Sequence, residues 1–191
     1  MTTSEIHAQL AARFGDKVGP LSGGVDPACV IATDAIADVC RWLRDQPGIE
    51  LMSLMCLSST DDKDKLGVVY NLSSMKHKHR VTLKVELPDR NNAHVPTVAP
   101  LFGTADWHER EAYDMMGIVF DGHPDLRRLL CPDDWEGWPL RKDYVVQEYY
   151  RGLKVPYPEG KEADRGHWVS REIADLRIDP PEMREPDLQG M

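Results

Sequence analysis

Apolar side chains along this chain recur with two periods. Ile6, Leu10 and Phe14 fall at helical spacing, which predicts a short helix over 3–14, ended by Gly15. Ile36, Val39, Cys40 and Leu43 form a second helical stripe. Thr33 is placed to cap that helix, which is expected to reach about Gln46 and stop at Pro47-Gly48. Other segments repeat every second residue. In 66–73, Leu66, Val68, Tyr70 and Leu72 share one side; in 80–87, Val81, Leu83, Val85 and Leu87 alternate with Thr82, Lys84 and Glu86. Residues 29–32 form a short apolar run read as a strand, and 19–27 reads as a loop. Residues 51–58 are nearly continuously apolar, as expected for a central strand covered on both faces. Short polar connectors at 59–65 and 74–79 join the last three strands into a meander. This order predicts an α+β domain: a mixed β-sheet with a βαβββ core and helices on one face, followed by an irregular loop and an extended C-terminal arm.

The run 104–144, TADWHEREAYDMMGIVFDGHPDLRRLLCPDDWEGWPLRKDY, breaks this simple patterning. A short helix at 97–102 is expected to lead into it. Thr104 as N-cap, Asp106 in the first turn and Gly117 as stop predict a helix over 105–116. Trp107, Glu111 and Asp114 then share one face, with Arg110 four residues before Asp114. Charges occur nearly all round this helix, which suits it to pairing within the protein or against a partner. The apolar run Ile118-Val119-Phe120, the turn Asp121-Gly122 and the pair His123-Pro124 follow, and 125–130 reads as one helical turn carrying Arg127 and Arg128. Residues 131–144, framed by Pro132 and Pro139, are too rich in Pro, Gly and Asp for helix or central strand. With Trp135, Trp138, Arg141, Lys142, Asp143 and Tyr144, this loop is expected to be a docking surface outside the core. Replacing Trp135 and Arg141 is accordingly expected to leave folding intact. Residues 156–191 carry five prolines and few large apolar side chains, so the organisation expected is a domain at 1–144 and an arm at 145–191.

Charge and cysteine usage narrow the function. A net charge of −9 argues against nucleic acid and against direct binding to an anionic bilayer. No apolar run approaches the roughly 18 residues that span a membrane, and MTTSEIHAQL has neither a basic start nor an apolar h-region, so a cytoplasmic setting is expected. Cys29, Cys40, Cys56 and Cys131 lack CxxC spacing, and Gly23-Gly24 lacks a dinucleotide fingerprint. Glu109, Glu111, Asp114 and His123 could serve acid/base chemistry, but the adjacent Arg110, Arg127 and Arg128 favour a structural ion network. Residues 77–80 read as a solvated basic turn, His108-Glu109 is not HExxH because residue 112 is Ala, and Trp107 is expected in the core.

The string EREAYDMMGIVFDGHPDLRRLL, with WEGWPLRKDY behind it, resembles the signature of the 30-kilodalton-type subunit of NADH:quinone oxidoreductase, respiratory complex I. The matching positions are Glu109, Arg110, Glu111, Asp114, Gly117, Ile118, Phe120, His123, Pro124, Leu126, Arg127 and Arg128, with Leu140 to Tyr144 closing the pattern. Met116 stands where Phe is common and Trp138 where His is common. The resemblance implies a non-catalytic, peripheral subunit of the hydrophilic arm on the cytoplasmic face of the membrane. It also implies docking with other complex I subunits, chiefly the neighbour that helps form the quinone site. NADH, FMN, iron–sulfur clusters and quinone would be held by other subunits. The equivalent subunit of a membrane-bound hydrogenase-type complex shares this signature. A reading from another class is a stand-alone hydrolase using Glu111, Asp114 and His123.

Overall fold

The alternating segments pair into one sheet whose apolar side is covered by helices. A computed structural model describes residues 1–22, 24, 27–151 and 153–154. The first helix, α1 (Thr3–Phe14), is held at its start by a reciprocal capping box between Thr2 and Glu5, and Ile6 and Leu10 are its buried stripe. Strands β1 (Val18–Leu21) and β2 (Ala28–Ile31) follow, then a 3-10 turn (Thr33–Ala35) and α2 (Ile36–Asp45). The meander β3 (Ser53–Asp61), β4 (Leu66–Ser73) and β5 (Arg80–Leu87) completes a five-stranded sheet of order β1-β2-β5-β4-β3. Within this sheet only the β2–β5 pair is parallel, because α2, β3 and β4 intervene between those strands.

The core lies on one side of this sheet. Val68, Tyr70, Leu72, Leu83 and Val85 are fully buried there with Ile6, Leu10, Ile36, Val39 and Leu43 from the helices. Residues of the opposite pleat, such as Asn71, Thr82 and Lys84, are half-buried, and the Thr82 hydroxyl donates to Asn71 Oδ1 at 3.0 Å.

Several local expectations are corrected. Residues 18–21 belong to a strand, β1, not to a loop, since its partner β2 lies beyond the intervening turn. The strand expected to be central, β3, is the sheet's edge: Met52 and Met55 are 69% and 59% exposed. A continuous apolar run satisfied the two-sided pattern although only one side is covered. Thr33 does not cap α2; its hydroxyl reaches Glu86 O at 3.5 Å. Residues 97–102 hold a turn and 125–130 are irregular; neither is helix. Val95 and Phe120 are buried on two short parallel strands, β6 (His94–Pro96) and β7 (Val119–Asp121), flanking the third helix, α3 (Ala105–Met116).

The chain divides into two units, Met1–Gln147 and Glu148–Met191. Within the second unit, β8 (Tyr149–Tyr150) pairs antiparallel with β9 (Leu153–Lys154). Most of the expected arm, 155–191, lies outside the described residues. Among the described residues no helix is long and apolar enough to cross a membrane.

Candidate functional site

The signature segment is built on α3, which runs along the open edge of β3. Thr104 is helical in conformation (φ −68°, ψ −25°) and does not cap α3. Its hydroxyl donates instead to Leu54 O at 3.1 Å, and four residues on, His108 Nδ1 accepts the Leu57 N–H at 3.3 Å. Two helix side chains thus occupy edge groups that a neighbouring strand would otherwise take. Ala105, Ala112, Met115 and Met116 seat the helix in the core, and Glu109, Arg110 and Asp114 are buried with them.

Asp114 organises the chain that follows. Its Oδ1 accepts from Arg128 Nη1 at 2.9 Å, and its Oδ2 accepts the consecutive amides of Leu129, Leu130 and Cys131 at 2.9, 2.6 and 2.9 Å. Burial pushes this carboxyl up, but the amide and guanidinium donors outweigh it and hold the group below the usual carboxylate value. Arg128, once positioned, donates through Nη2 to Trp135 O and Gly137 O, both at 3.1 Å. Its guanidinium carbon also lies 4.7 Å from the centre of the Trp138 ring.

The loop at 131–144 is fastened to the domain rather than standing outside it. Trp138 packs over Gly117 and meets Tyr113 edge-on, with ring centres 5.5 Å apart. Leu140 N–H donates to Met115 O at 3.1 Å and Arg141 Nε to Met116 O at 2.6 Å, so the loop satisfies carbonyls at the end of α3. Trp135 Nε1 donates to the Tyr144 hydroxyl at 3.1 Å. At the far end, the Asp61 carboxylate accepts Lys142 N–H at 2.8 Å, and Asp143 pairs with Arg90 at 3.0 Å. The expectation that this loop stands outside the domain is therefore corrected: the Leu140 amide and the Arg141 side chain meet the last carbonyls of α3, and the Trp135 indole closes the loop on Tyr144.

Asp61 and Arg90 were not singled out from the sequence. Arg90 grips Asp61 with both nitrogens, at 2.5 and 3.0 Å, and these bonds hold the carboxyl well below its usual range against the opposing effect of burial. Asp61 lies in the acidic run Asp61-Asp62-Lys63-Asp64, where composition says only "polar turn"; besides the local Lys63 N–H, its partners lie 29 and 81 residues away.

A second buried carboxyl, Glu109, faces the turn at 97–99. The Thr97 hydroxyl donates to its Oε2 and Val98 N–H to its Oε1. Among the described residues no Lys or Arg pairs with it; His123 Nε2 lies 3.8 Å away and sits closer to Asp106 Oδ1, at 3.1 Å. Asp125 N–H donates to His123 Nδ1 at 3.0 Å, which puts the ring proton on Nε2. Burial pushes Glu109 up to about 7, partly opposed by its two donors. Burial likewise raises the nearby Cys40 thiol to about 12 and the Tyr70 phenol well above its usual value.

The expected ion network is thus rewired. Asp114 pairs with Arg128, not with Arg110, and Arg127 pairs with Asp125 at 2.9 Å on the surface. Arg110 lies with its guanidinium carbon 5.0 Å from the centre of the Trp107 ring, and Trp107, expected in the core, is 58% exposed. Glu111 and Pro124 are exposed. Glu111, Asp114 and His123, the three residues of the hydrolase reading, are not joined by hydrogen bonds; Glu111 faces solvent while Asp114 is buried and fully engaged. Among the described residues no group of three or more His, Cys, Asp or Glu is placed to hold a metal ion.

Comparison with known proteins locates this scaffold. Residues 29–150 match the family described as respiratory-chain NADH dehydrogenase, 30 Kd subunit. An NADH-quinone oxidoreductase subunit of Chlorobium phaeobacteroides is 46% identical over 166 residues, covering 81% of this chain and 99% of that protein. The like-named subunit of Chloroherpeton thalassium is 49% identical over 76% of this chain, which spans 62% of that longer relative. That of Salinispora tropica is 43% identical over 68% of this chain and 55% of its own length. Two solved structures share the fold. A trypsin-resistant fragment of Nqo5 is 24% identical with a TM-score of 0.55, over 66% of this chain and all of that one. A chain of an archaeal membrane-bound sulfane sulfur reductase is 22% identical with a TM-score of 0.60, over 75% and 85%. With the signature carboxylates and arginines set on α3 and its following loop, and the family match running from β2 through β8, this chain belongs to the 30 Kd subunit family of respiratory-chain NADH dehydrogenase.

Proposed function

We propose that the chain is a non-catalytic structural subunit of the hydrophilic arm of a membrane-bound NADH:quinone oxidoreductase. It docks beside the quinone-site subunit and keeps neighbouring electron-transfer subunits in register, as a peripheral component on the cytoplasmic face. NADH, FMN, iron–sulfur clusters and quinone are handled by other subunits. The observation that carries this reading is the 46% identity extending over 99% of a relative named as a subunit of NADH-quinone oxidoreductase. The geometry supports a structural role for the signature. Asp114 spends its lone pairs on the 128–131 segment, and Glu109 on the 97–98 turn, so both carboxyls fix chain segments rather than face an open cleft. Cys29 and Cys40 are buried, and burial raises both thiols, to about 11 and about 12, which makes them poor metal ligands as they stand.

A tagged full-length chain expressed in its own cells tests the reading. Extracted with mild detergent, it is expected to migrate in a large assembly and to bring NADH:quinone oxidoreductase subunits with it, identified by mass spectrometry. A chain recovered only as a small soluble species, or one that oxidises NADH alone, overturns the proposal.

A further inference from the structure

Arg110 carries a charge into the protein surface without an acceptor to meet it. Only 5% of the residue is exposed, and its Nε is fully buried with no hydrogen-bond partner. Among the described residues no hydrogen bond or ion pair reaches its guanidinium; its one close partner is the indole of Trp107. The contrast with its neighbours on α3 is plain. Glu109 and Asp114 are just as buried, and each has donors to both oxygens. Asp125 feels the charge of Arg110, but its carboxylate is held by Arg127 at 2.9 Å.

A guanidinium with its Nε kept from water and no counter-charge among the described residues is costly, and its planar fork matches a carboxylate in two-pronged fashion. Beside it, Trp107 leaves 58% of a large, rigid, apolar side chain in solvent. An arginine and a tryptophan together are the residue types that dominate binding energy at protein interfaces. The geometry points to Trp107 and Arg110 as an anchor point on α3 for an aspartate or glutamate carboxylate carried by a neighbouring protein subunit. The incoming carboxylate supplies the missing acceptor, and the partner's surface covers the indole in the same step. Asp106, one turn before Arg110, and Asp125 nearby disfavour a dianionic phosphate or an anionic bilayer at this spot. This inference rests on the subunit reading above and moves the expected contact from the loop at 131–144, whose Trp138 and Arg141 are engaged internally, to the exposed side of α3.

The test uses membranes from cells lacking this chain, re-supplied with purified full-length protein. Co-sedimentation and restored NADH:quinone oxidoreductase activity are read together with the melting temperature of the free chain. Arg110→Met is expected to melt at or above the wild-type temperature, because an unpaired buried charge has been removed. Its affinity for the membranes is expected to fall by roughly tenfold or more, with Arg110→Lys between the two. Trp107→Ala, at an exposed position, is expected to keep the wild-type melting temperature and lose binding by a similar factor. Wild-type binding by Arg110→Met, or a melting temperature well below wild type, overturns the inference. Arg110-dependent binding to protein-free phosphatidylglycerol vesicles overturns the choice of a protein carboxylate. If the wild-type chain itself fails to bind the depleted membranes, the subunit reading fails, and this inference with it.

Discussion

Gly117 and Trp138 are in direct contact: a Cβ on Gly117 would fall 2.7 Å from the indole Cδ2 and Nε1. Gly117 also holds a left-handed conformation, φ +68° and ψ 29°, at the C-terminus of α3. Two requirements therefore meet at one residue, since only glycine both turns the chain here and leaves room for the ring that carries the loop. Gly117→Ala is expected to cost about 2–4 kcal/mol, combining left-handed strain with displacement of a well-packed aromatic. Chemical denaturation of Gly117→Ala, Trp138→Ala and the double variant checks this. The double variant is expected to be less destabilised than the sum of the two, because removing the ring removes the clash.

Arg128→Ala is expected to destabilise the domain by about 3–5 kcal/mol, since it leaves the buried Asp114 carboxylate without its cation and frees the Trp135 and Gly137 carbonyls. Arg110→Ala, by contrast, does not orphan Asp114. Asp114 also predicts an acid limb. Its folded value lies below 3.8, so its stabilisation is complete above 3.8 and is lost as pH falls through the lower folded value. In urea titrations between pH 6 and strongly acid pH, Asp114→Asn is expected to show a flatter stability profile than wild type.

Glu109 predicts the opposite slope. Its folded value of about 7 exceeds the ordinary 4.5, so the folded state holds the proton more tightly. The associated stabilisation is fully present below 4.5 and is lost as pH rises through about 7, on the order of 3 kcal/mol in all. Glu109→Gln offers one acceptor to Val98 N–H and one donor to the Thr97 hydroxyl, the pattern of the protonated acid. It is expected to abolish the pH 5–7 slope and to match or exceed wild-type stability at pH 8.

Asp61 and Arg90 tie the end of the loop to β3. Asp61→Ala is expected to lower stability by about 1–3 kcal/mol, because it leaves Arg90 only the exposed Asp143 as counter-charge and releases Lys142 N–H. Limited proteolysis is the direct readout: trypsin is expected to cut after Arg141 or Lys142 far faster in this variant than in wild type.

Arg141→Glu is expected to lower the melting temperature even in the isolated chain. The substitution removes the bond to Met116 O and sets a carboxylate against the carbonyl end of α3. A scanning-calorimetry trace unchanged from wild type would show that Trp138 and the Leu140 amide hold the loop alone.

Strictly local information explains how much was legible beforehand. The strands β4 and β5 announce themselves because their alternation matches a one-sided sheet, and α2 because its four apolar residues share a stripe. The signature on α3 was legible as a resemblance, and Gly117 as a helix stop. The same local rules misassigned β3, where apolar methionines face solvent, and Thr33 and Thr104, whose hydroxyls found distant carbonyls instead of their own helix ends.

By itself, the sequence determined the α+β class, the helical and strand periods and the family, because each is written in nearby residues or in a long ungapped motif. Only the tertiary structure decided which charge meets which. Arg110 and Asp114 stand at ideal helical spacing, yet Asp114 turns to three amides and Arg128, Arg90 crosses to Asp61, and Arg110 is left against Trp107. The reason is physical: a buried carboxylate is satisfied by whichever donors the folded chain brings within about 3 Å, and that distance is set by packing rather than by separation along the chain.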